Sequence, residues 1–285
     1  MSVITTSLKH KIKDTLSLKI GKKISIQKIS SVNGGCINNT SKIDTNHGTF
    51  FLKWNLNCDK KMFSIEKKGL KLLDNCKSIY IPKVISESSD YLLMEYIKSN
   101  NYTNKLWEKF GRSIADLHQL SNEYFGLEYY NYIGPLIQQN DQKDKWIDFF
   151  INKRIIPQLK ISNFNTETLR KFDKLFINIE TIFHEESPSL LHGDLWNGNF
   201  LFNKEKIVLF DPAVYFGNRE MDIAMTKLFG GFDNRFYHSY NEVFPFKKGW
   251  EERIDICNLY PLLVHVNLFG VSYYSQLMHI VKRFI

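Results

Sequence analysis

The sequence predicts an α+β chain in two unequal lobes: a small antiparallel-sheet N-lobe, residues 1–97, and a larger, mainly helical C-lobe, residues 98–285. Three observations predict it. Before residue 97 the apolar residues come in short alternating runs bounded by turn residues, the pattern of strands. After residue 105 they recur at helical spacing. Between the two patterns lies the polar stretch "SNNYTN", a hinge by composition.

The elements follow in order. "KISIQKISSV", from Lys23 to Val32, alternates as a strand; "NGGCINN" is a glycine loop and "TSKID" a second strand. Asn46, His47 and Gly48 form a turn, and "TFFLKWN" reads as a third strand with Lys53 inside it. Lys60 to Leu73 carries Phe63, Leu70 and Leu73 at helical spacing, with Glu66 on the same segment and Pro82 closing the connection. "YLLMEYI", residues 91 to 97, is a compact apolar strand containing Glu95. Leu106, Phe110, Ile114, Leu117 and His118 then fit one face of a long helix. "WIDFFINKRIIPQL" and "TLRKFDKLFINIETIF" repeat that signature, and the later strand-like pieces are short, flanking "HGDLWNGN" and "DPA".

Composition narrows the class. The 285 residues are enough for a well-buried core, and 43% hydrophobic with 24% charged residues is the ordinary globular range. A net charge of +8 suits a phosphate pocket, while the scattered lysines and the lack of a nucleic-acid motif point away from nucleic acid. Cys36, Cys58, Cys76 and Cys257 include no C-x-x-C pair, which argues against a zinc site or disulfide framework and for the reducing cytoplasm. The N-terminal residues lack the apolar block of a signal peptide. In the apolar C-terminal stretch Pro261, His265, Asn267 and Gly270 interrupt any membrane span, leaving a buried helix as the expectation.

The chemistry gathers around "LLHGDLWNGNF". Asp194 and Asn199 stand five positions apart in a glycine-punctuated loop, and Asp211 ends the short strand "KIVLFD" that follows. Three oxygen-bearing side chains are thus brought to one edge, and hard oxygen ligands suit Mg²⁺. Phosphoryl transfer requires such an edge: a carboxylate to orient an attacking hydroxyl, and an amide with a second carboxylate to hold metal against phosphates. Lys53 supplies a cation for those phosphates, and Glu66, thirteen residues later, can hold the ammonium by an ion pair. Singly, each residue has a bland alternative as a surface or turn residue; the order of the set is what points to a nucleotide site.

On these motifs the chain resembles the protein-kinase-like fold in its small-molecule branch, where "HGD" replaces "HRD". "LLHGDLWNGN", "DPAVYFGNREMDIAMTKLFGGF", "NGGCINN", "NYIGPLIQQN" and "LYPLLVHVNLFG" resemble the fructosamine kinase (ketosamine 3-kinase) family from about residue 23 onward. The resemblance implies ATP- and Mg²⁺-dependent phosphorylation of the sugar 3-hydroxyl of a ketosamine, small or protein-bound, a deglycation repair activity. It implies Asp194 as catalytic base and Asn199 and Asp211 as metal ligands. It also implies Lys53, Glu66, Gly34 and Gly35 at the nucleotide, with the backbone of Met94, Glu95 and Tyr96 on the adenine. Asp222, in "REMDIAM", would accept backbone N–H bonds from the HGD loop, the alternative being a salt bridge with Arg219. Trp196 and Asn197 would line the sugar pocket, the alternative for Trp196 being core packing.

The chain departs from protein kinases twice. "NGGCINN" offers only Gly34 and Gly35 of a phosphate-closing glycine loop, and "DPA" replaces "DFG", with Pro212 fixing its own φ and weakening any in/out flip. Cys36 lies in the glycine loop; in the resembling family a cysteine there is associated with a redox-dependent disulfide between two chains, so monomer or redox-dependent homodimer is expected, against an inert small residue. A kinase of the aminoglycoside or choline type would share the "HGD" loop without "DPAVYFGNRE" and "FGGF", and a non-catalytic scaffold would lack one of Lys53, Glu66, Asp194, Asn199 or Asp211.

Overall fold

The computed structural model describes residues 4–32, 37–100 and 103–285. Helix α1 (Thr6–Ile20) begins at Thr5, whose side chain accepts from the Leu8 N–H at 3.2 Å, and ends at Gly21, where φ is +71°. Its apolar stripe is narrow: only Leu8, Ile12 and Leu16, at four-residue spacing, are buried. That thin stripe between lysines is why the helix does not stand out in the sequence.

Strands β1 (Ile26–Ser31), β2 (Asn39–Thr45), β3 (Gly48–Trp54), β4 (Val84–Glu87) and β5 (Tyr91–Glu95) form an antiparallel sheet in the order β1-β2-β3-β5-β4. Side chains alternate across it. Leu52, Trp54, Tyr91 and Leu93 pack with Leu8, Ile12 and Leu16 of α1 on one face. Lys53, Leu92 and Met94 therefore turn to the other, where α2 (Met62–Leu73) lies. The strand β4 was not anticipated; it covers the outer side of β5.

The polypeptide beyond the sheet is mostly helical. The α3 helix (Asn104–His118) crosses α8 (Asn234–Val243) so closely that a Cβ at Gly111 would collide with the Phe236 carbonyl. Phe110 stacks on Phe232 at 5.5 Å and meets Phe236 at 5.2 Å. "NYIGPLIQQ" forms a hairpin, β6 (Asn131–Ile133) and β7 (Leu136–Gln138), turning at Gly134 with φ +58°. Helix α4 (Trp146–Phe149) passes through a π-helical turn, Phe150–Ile155, into α5 (Ile156–Ile161), and α6 (Thr166–Ile179) follows. Short strands β8 (Ser189–Leu191), β9 (Phe200–Asn203), β10 (Lys206–Leu209) and β11 (Tyr215–Gly217) carry the loops of interest, pairing as β8 with β11 and β9 with β10. Then come α7 (Glu220–Leu228), α9 (Trp250–Phe269) and α10 (Tyr274–Arg283). The apolar C-terminal stretch is helical but only partly buried: Leu259, Tyr260, Leu262, Leu263 and Val264 are buried, while Phe269 and Val271 are exposed; α9 runs through Pro261 and stops at Gly270, φ +85°. Among the described residues no helix is long and apolar enough to cross a membrane.

Backbone bonds stitch the sheet region to β9 and β10: the Tyr80 N–H donates to the Ile207 carbonyl at 2.7 Å, and the Asn100 N–H to the Phe202 carbonyl at 2.7 Å. Substituting Gly111→Ala forces α3 off α8 and is expected to cost about 1–3 kcal/mol, read as a lowered Tm in a thermal melt; an unchanged Tm contradicts the close crossing.

Candidate active site

The HGD loop starts where β8 ends. The His192 and Gly193 N–H groups donate to the two carboxylate oxygens of Asp222 on α7, at 2.7 and 2.9 Å. Arg219 instead forms its ion pair with Glu186, at 2.9 Å, so it leaves Asp222 to the loop. Gly193 has φ +82°, and a Cβ there would collide with the Ala213 carbonyl, so both backbone angle and space require glycine. The buried His192 ring accepts from the Asp194 N–H at 3.3 Å through Nδ1 and donates from Nε2 to the Phe210 carbonyl at 3.0 Å. Burial pushes its pKa down, which favours the neutral ring that this bonding needs.

Asp194 follows, and its Oδ2 accepts from Asn199 Nδ2 at 2.8 Å, while the same amide bonds the Asp194 backbone carbonyl at 2.9 Å. Burial pushes the Asp194 carboxyl up to about 7; the Asn199 bond opposes the rise, and the charges of Asp211 and Asp222 add to it. A carboxyl poised there titrates where a general base for a hydroxyl is most useful.

Across the cavity Lys53, turned inward by strand alternation, donates to Glu66 Oε1 and Oε2 at 2.9 and 2.8 Å. Its ammonium also lies 3.0 Å from Asp211 Oδ1. Burial works against the Lys53 charge, yet Asp211 and Glu66 outweigh it and hold its pKa well above the usual range. Burial raises Glu66 as well; the ammonium at 2.8 Å opposes that rise and the Asp211 charge adds to it. Asp211 adopts φ +54°, a left-handed turn that aspartate tolerates. Gly69 of α2 lies against Val214 and Pro212, where an added Cβ would be 3.2 and 3.5 Å away, so the helix carrying Glu66 rests directly on the segment carrying Asp211.

The residues fit a divalent cation. Asp211 Oδ1 is buried without a hydrogen bond, its contact with Lys53 being an ion pair outside hydrogen-bonding geometry. The Asn199 amide gives its Nδ2 to Asp194, which leaves Oδ1 as a ligand. Among the described residues no group of three His, Cys, Asp or Glu forms a metal cage. One carboxylate and one amide oxygen, completed by phosphates and water, is how Mg²⁺ is usually bound.

Lys53, Glu66, Asp194, Asn199 and Asp211 line one cavity of about 550 Å³, which continues past Trp196 to α9. Trp196 is half-buried and edge-on to Phe229 at 6.2 Å. Asn197 does not line the cavity: it is exposed, and its expected place in the sugar pocket is corrected. The Asn199 N–H bonds the Trp196 carbonyl at 3.0 Å and the indole folds back over Gly198, so the tip residue Asn197 turns to solvent.

On the strand expected at the adenine, one backbone donor is already taken. Glu95 cannot offer its N–H, which donates to the Lys83 carbonyl at 3.0 Å because the unanticipated β4 segment covers that side. Its carboxylate accepts from the Tyr80 hydroxyl at 2.6 Å and the Lys83 N–H at 2.7 Å. Met94 is buried and paired between Phe51 and Val84, and Tyr96 stands just past the strand with the Lys42 ammonium 5.3 Å from its ring centre. Gly34, Gly35 and Cys36 lie outside the described residues. Sequence reasoning also missed that His118 stands behind the loop, its ring 3.2 Å from Asp222 Oδ2 and 2.9 Å from the Tyr240 hydroxyl. The signal was a histidine on an otherwise apolar helix face.

A family model described as fructosamine kinase matches residues 8–285. A protein of Enterococcus faecium named a probable ketoamine kinase is 37% identical over 268 residues, covering 90% of this chain and 95% of that one. A chloroplastic protein-ribulosamine 3-kinase of Arabidopsis thaliana is 35% identical, over 93% of this chain and 85% of its own. The crystal structure of a Thermobifida fusca protein described as a fructosamine-3-kinase superposes with a TM-score of 0.87 at 29% identity, over 95% of this chain and 97% of that one. A gentamicin complex of an aminoglycoside phosphotransferase shares the fold, with a TM-score of 0.68 at 16% identity over 100% of this chain and 97% of that one.

In the free protein the Asp194 carboxyl is expected to titrate near pH 7, followed by infrared difference spectroscopy against Asp194→Asn. Asn199→Ala removes the bond that lowers this pKa and should move the midpoint upward; a downward or absent movement contradicts the assignment.

Proposed function

The chain belongs to the fructosamine kinase family, and we propose that its cavity transfers the γ-phosphoryl group of ATP to the sugar 3-hydroxyl of a ketosamine. The observation that carries this reading is the meeting of Lys53, Glu66 and Asp211, at 2.8 and 3.0 Å, with Asp194 and Asn199 on the wall of the same cavity. It is an ATP-dependent phosphotransferase, and ketosamines are its substrate class. The aminoglycoside phosphotransferases compared are 13–18% identical, a likeness of fold alone.

In this reading residues 1–97 cover the nucleotide and residues 98–285 carry the base loop and the acceptor site. Lys53, oriented by Glu66, neutralises phosphate oxygens. Asp211 and Asn199 would hold Mg²⁺, which when bound neutralises the negative charge on the phosphates. Asn199 occupies Oδ2 of Asp194, leaving Oδ1 to accept the proton of the substrate hydroxyl and hold it in line for attack. Asp222 keeps the loop backbone fixed while this happens, and Trp196 offers a flat face to the sugar-amine adduct. Cytoplasmic location belongs to the same reading, supported by Cys58, Cys76 and Cys257, which are free thiols.

The test is ADP release from ATP with ribulosamines, fructosamines and aminoglycosides in parallel. Turnover with a ketosamine and none with aminoglycosides is expected; the reverse overturns the reading. Asp194→Asn should lower kcat by a factor on the order of 10²–10⁴ with nucleotide affinity nearly kept, and undiminished turnover removes Asp194 from the mechanism.

A further inference from the structure

The base loop and the metal-holding segment lean on each other at one point. Ala213, two residues after Asp211, donates its N–H to the His192 carbonyl at 2.9 Å, and its own carbonyl fills the space beside Gly193. The spacing of Asp194 and Asp211 therefore depends on where that carbonyl is held.

Two side chains of the β6–β7 hairpin hold it. Gln138 Nε2 donates to the Ala213 carbonyl at 3.0 Å and to Asn131 Oδ1 at 2.8 Å, and Asn131 Nδ2 donates to the next carbonyl, Val214, at 2.7 Å. Asn131 and Gln138 are register partners across the hairpin, so one turn presents both amides to consecutive carbonyls. They are anchored in turn. Gln138 Oε1 accepts from the Tyr260 hydroxyl of α9 at 2.9 Å, and Asn131 Oδ1 accepts from Asn140 at 2.8 Å. Asn140 Oδ1 accepts from Arg154 of the π-helical turn at 2.7 Å, and that guanidinium lies 3.9 Å from the Tyr215 ring centre. Asn131, Gln138, Asn140 and Arg154 are all at most 4% exposed.

Burying this many polar groups beside a catalytic segment costs stability unless every group is paired, and an apolar hairpin would fill the space more cheaply. What the amides add is geometry: they admit one position for two backbone carbonyls. The hairpin also reaches the other side of the site, since Tyr132 packs with Met62 and Ile65 of α2, the helix that carries Glu66.

We propose that Gln138 and Asn131 are positioning residues for phosphoryl transfer, fixing Asp211 relative to Asp194 through the Ala213 and Val214 carbonyls. This rests on the metal and base roles given above to Asp211 and Asp194. Gln138→Met removes the amide at nearly constant volume. Gln158→Met is the control: Gln158 is 3% exposed and accepts from Asn267 at 2.9 Å on α5, away from the cavity. The first readout is the gain in ADP affinity on adding Mg²⁺, by calorimetry, which needs no turnover; the second is kcat against KM for a ketosamine.

Gln138→Met is expected to lose on the order of tenfold in the Mg²⁺-dependent gain and in kcat, with KM for the ketosamine little changed. Gln158→Met should melt comparably lower yet keep the wild-type gain. A wild-type gain in Gln138→Met, or an equal loss in Gln158→Met, overturns the proposal. Should Gln138→Met not fold, Tyr260→Phe, which removes only the hydroxyl anchoring Gln138, should reduce the gain in the same direction; an unchanged gain overturns it. A wild-type protein that shows the gain but phosphorylates no ketosamine refutes the substrate reading and leaves this measurement standing. One that shows no gain refutes the metal role and the proposal together.

Discussion

A buried ammonium between two carboxylates governs this structure. Lys53 is 8% exposed at its side chain, in a place where an unpaired charge would cost several kcal/mol. Glu66 and Asp211 compensate it from opposite directions, one from a helix packed on the sheet, the other from a strand end in the helical part of the chain. Three pieces of local structure must agree for this to happen. The alternation of β3 must turn Lys53 away from α1; α2 must lie close enough at Gly69 to touch Val214; and Asp211 must accept a left-handed backbone. Each is cheap alone, and together they tie the two parts of the fold across the cavity.

The base loop is held by a different means. Its carboxylate support, Asp222, accepts from two backbone N–H groups and lies against the His118 ring, and Arg219 is kept from it by Glu186. The negative field of Asp222 thus stays on the loop, where with burial and Asp211 it raises Asp194. In the proposed reading one wall of the cavity carries the proton acceptor and the other, with Lys53, faces the phosphates, a separation of roles that phosphoryl transfer needs.

How much of this was legible in the sequence depended on distance along the chain. Lys53 and Glu66, thirteen residues apart on a strand and the helix that follows it, and Asp194 with Asn199, five apart in one loop, are each joined by a short length of chain, so local structure brings them together. The sheet and the helical C-lobe followed from periodicity, which is also local along the chain, and the C-terminal helix from its apolar composition. What escaped was what distant contacts decide. Strand β4 has no strong alternation, and without it the Glu95 N–H looked available for a nucleotide. Asn197 shares a motif with Trp196 and Asn199, yet a tight turn sends it outward. Gln138 and Asn131 gave no signal of their own, because the carbonyls they bond lie 75 and 83 residues further on.

The central claim is that Lys53 and Asp211 act on one phosphate tail, and a double-mutant cycle measures it most directly. Mg²⁺–ATP affinity would be determined by calorimetry for wild type, Lys53→Met, Asp211→Asn and the double variant. Convergence predicts that the two losses are not additive, with a coupling of about 1–2 kcal/mol. Additive losses would mean that the two side chains serve separate sites, and would contradict the account.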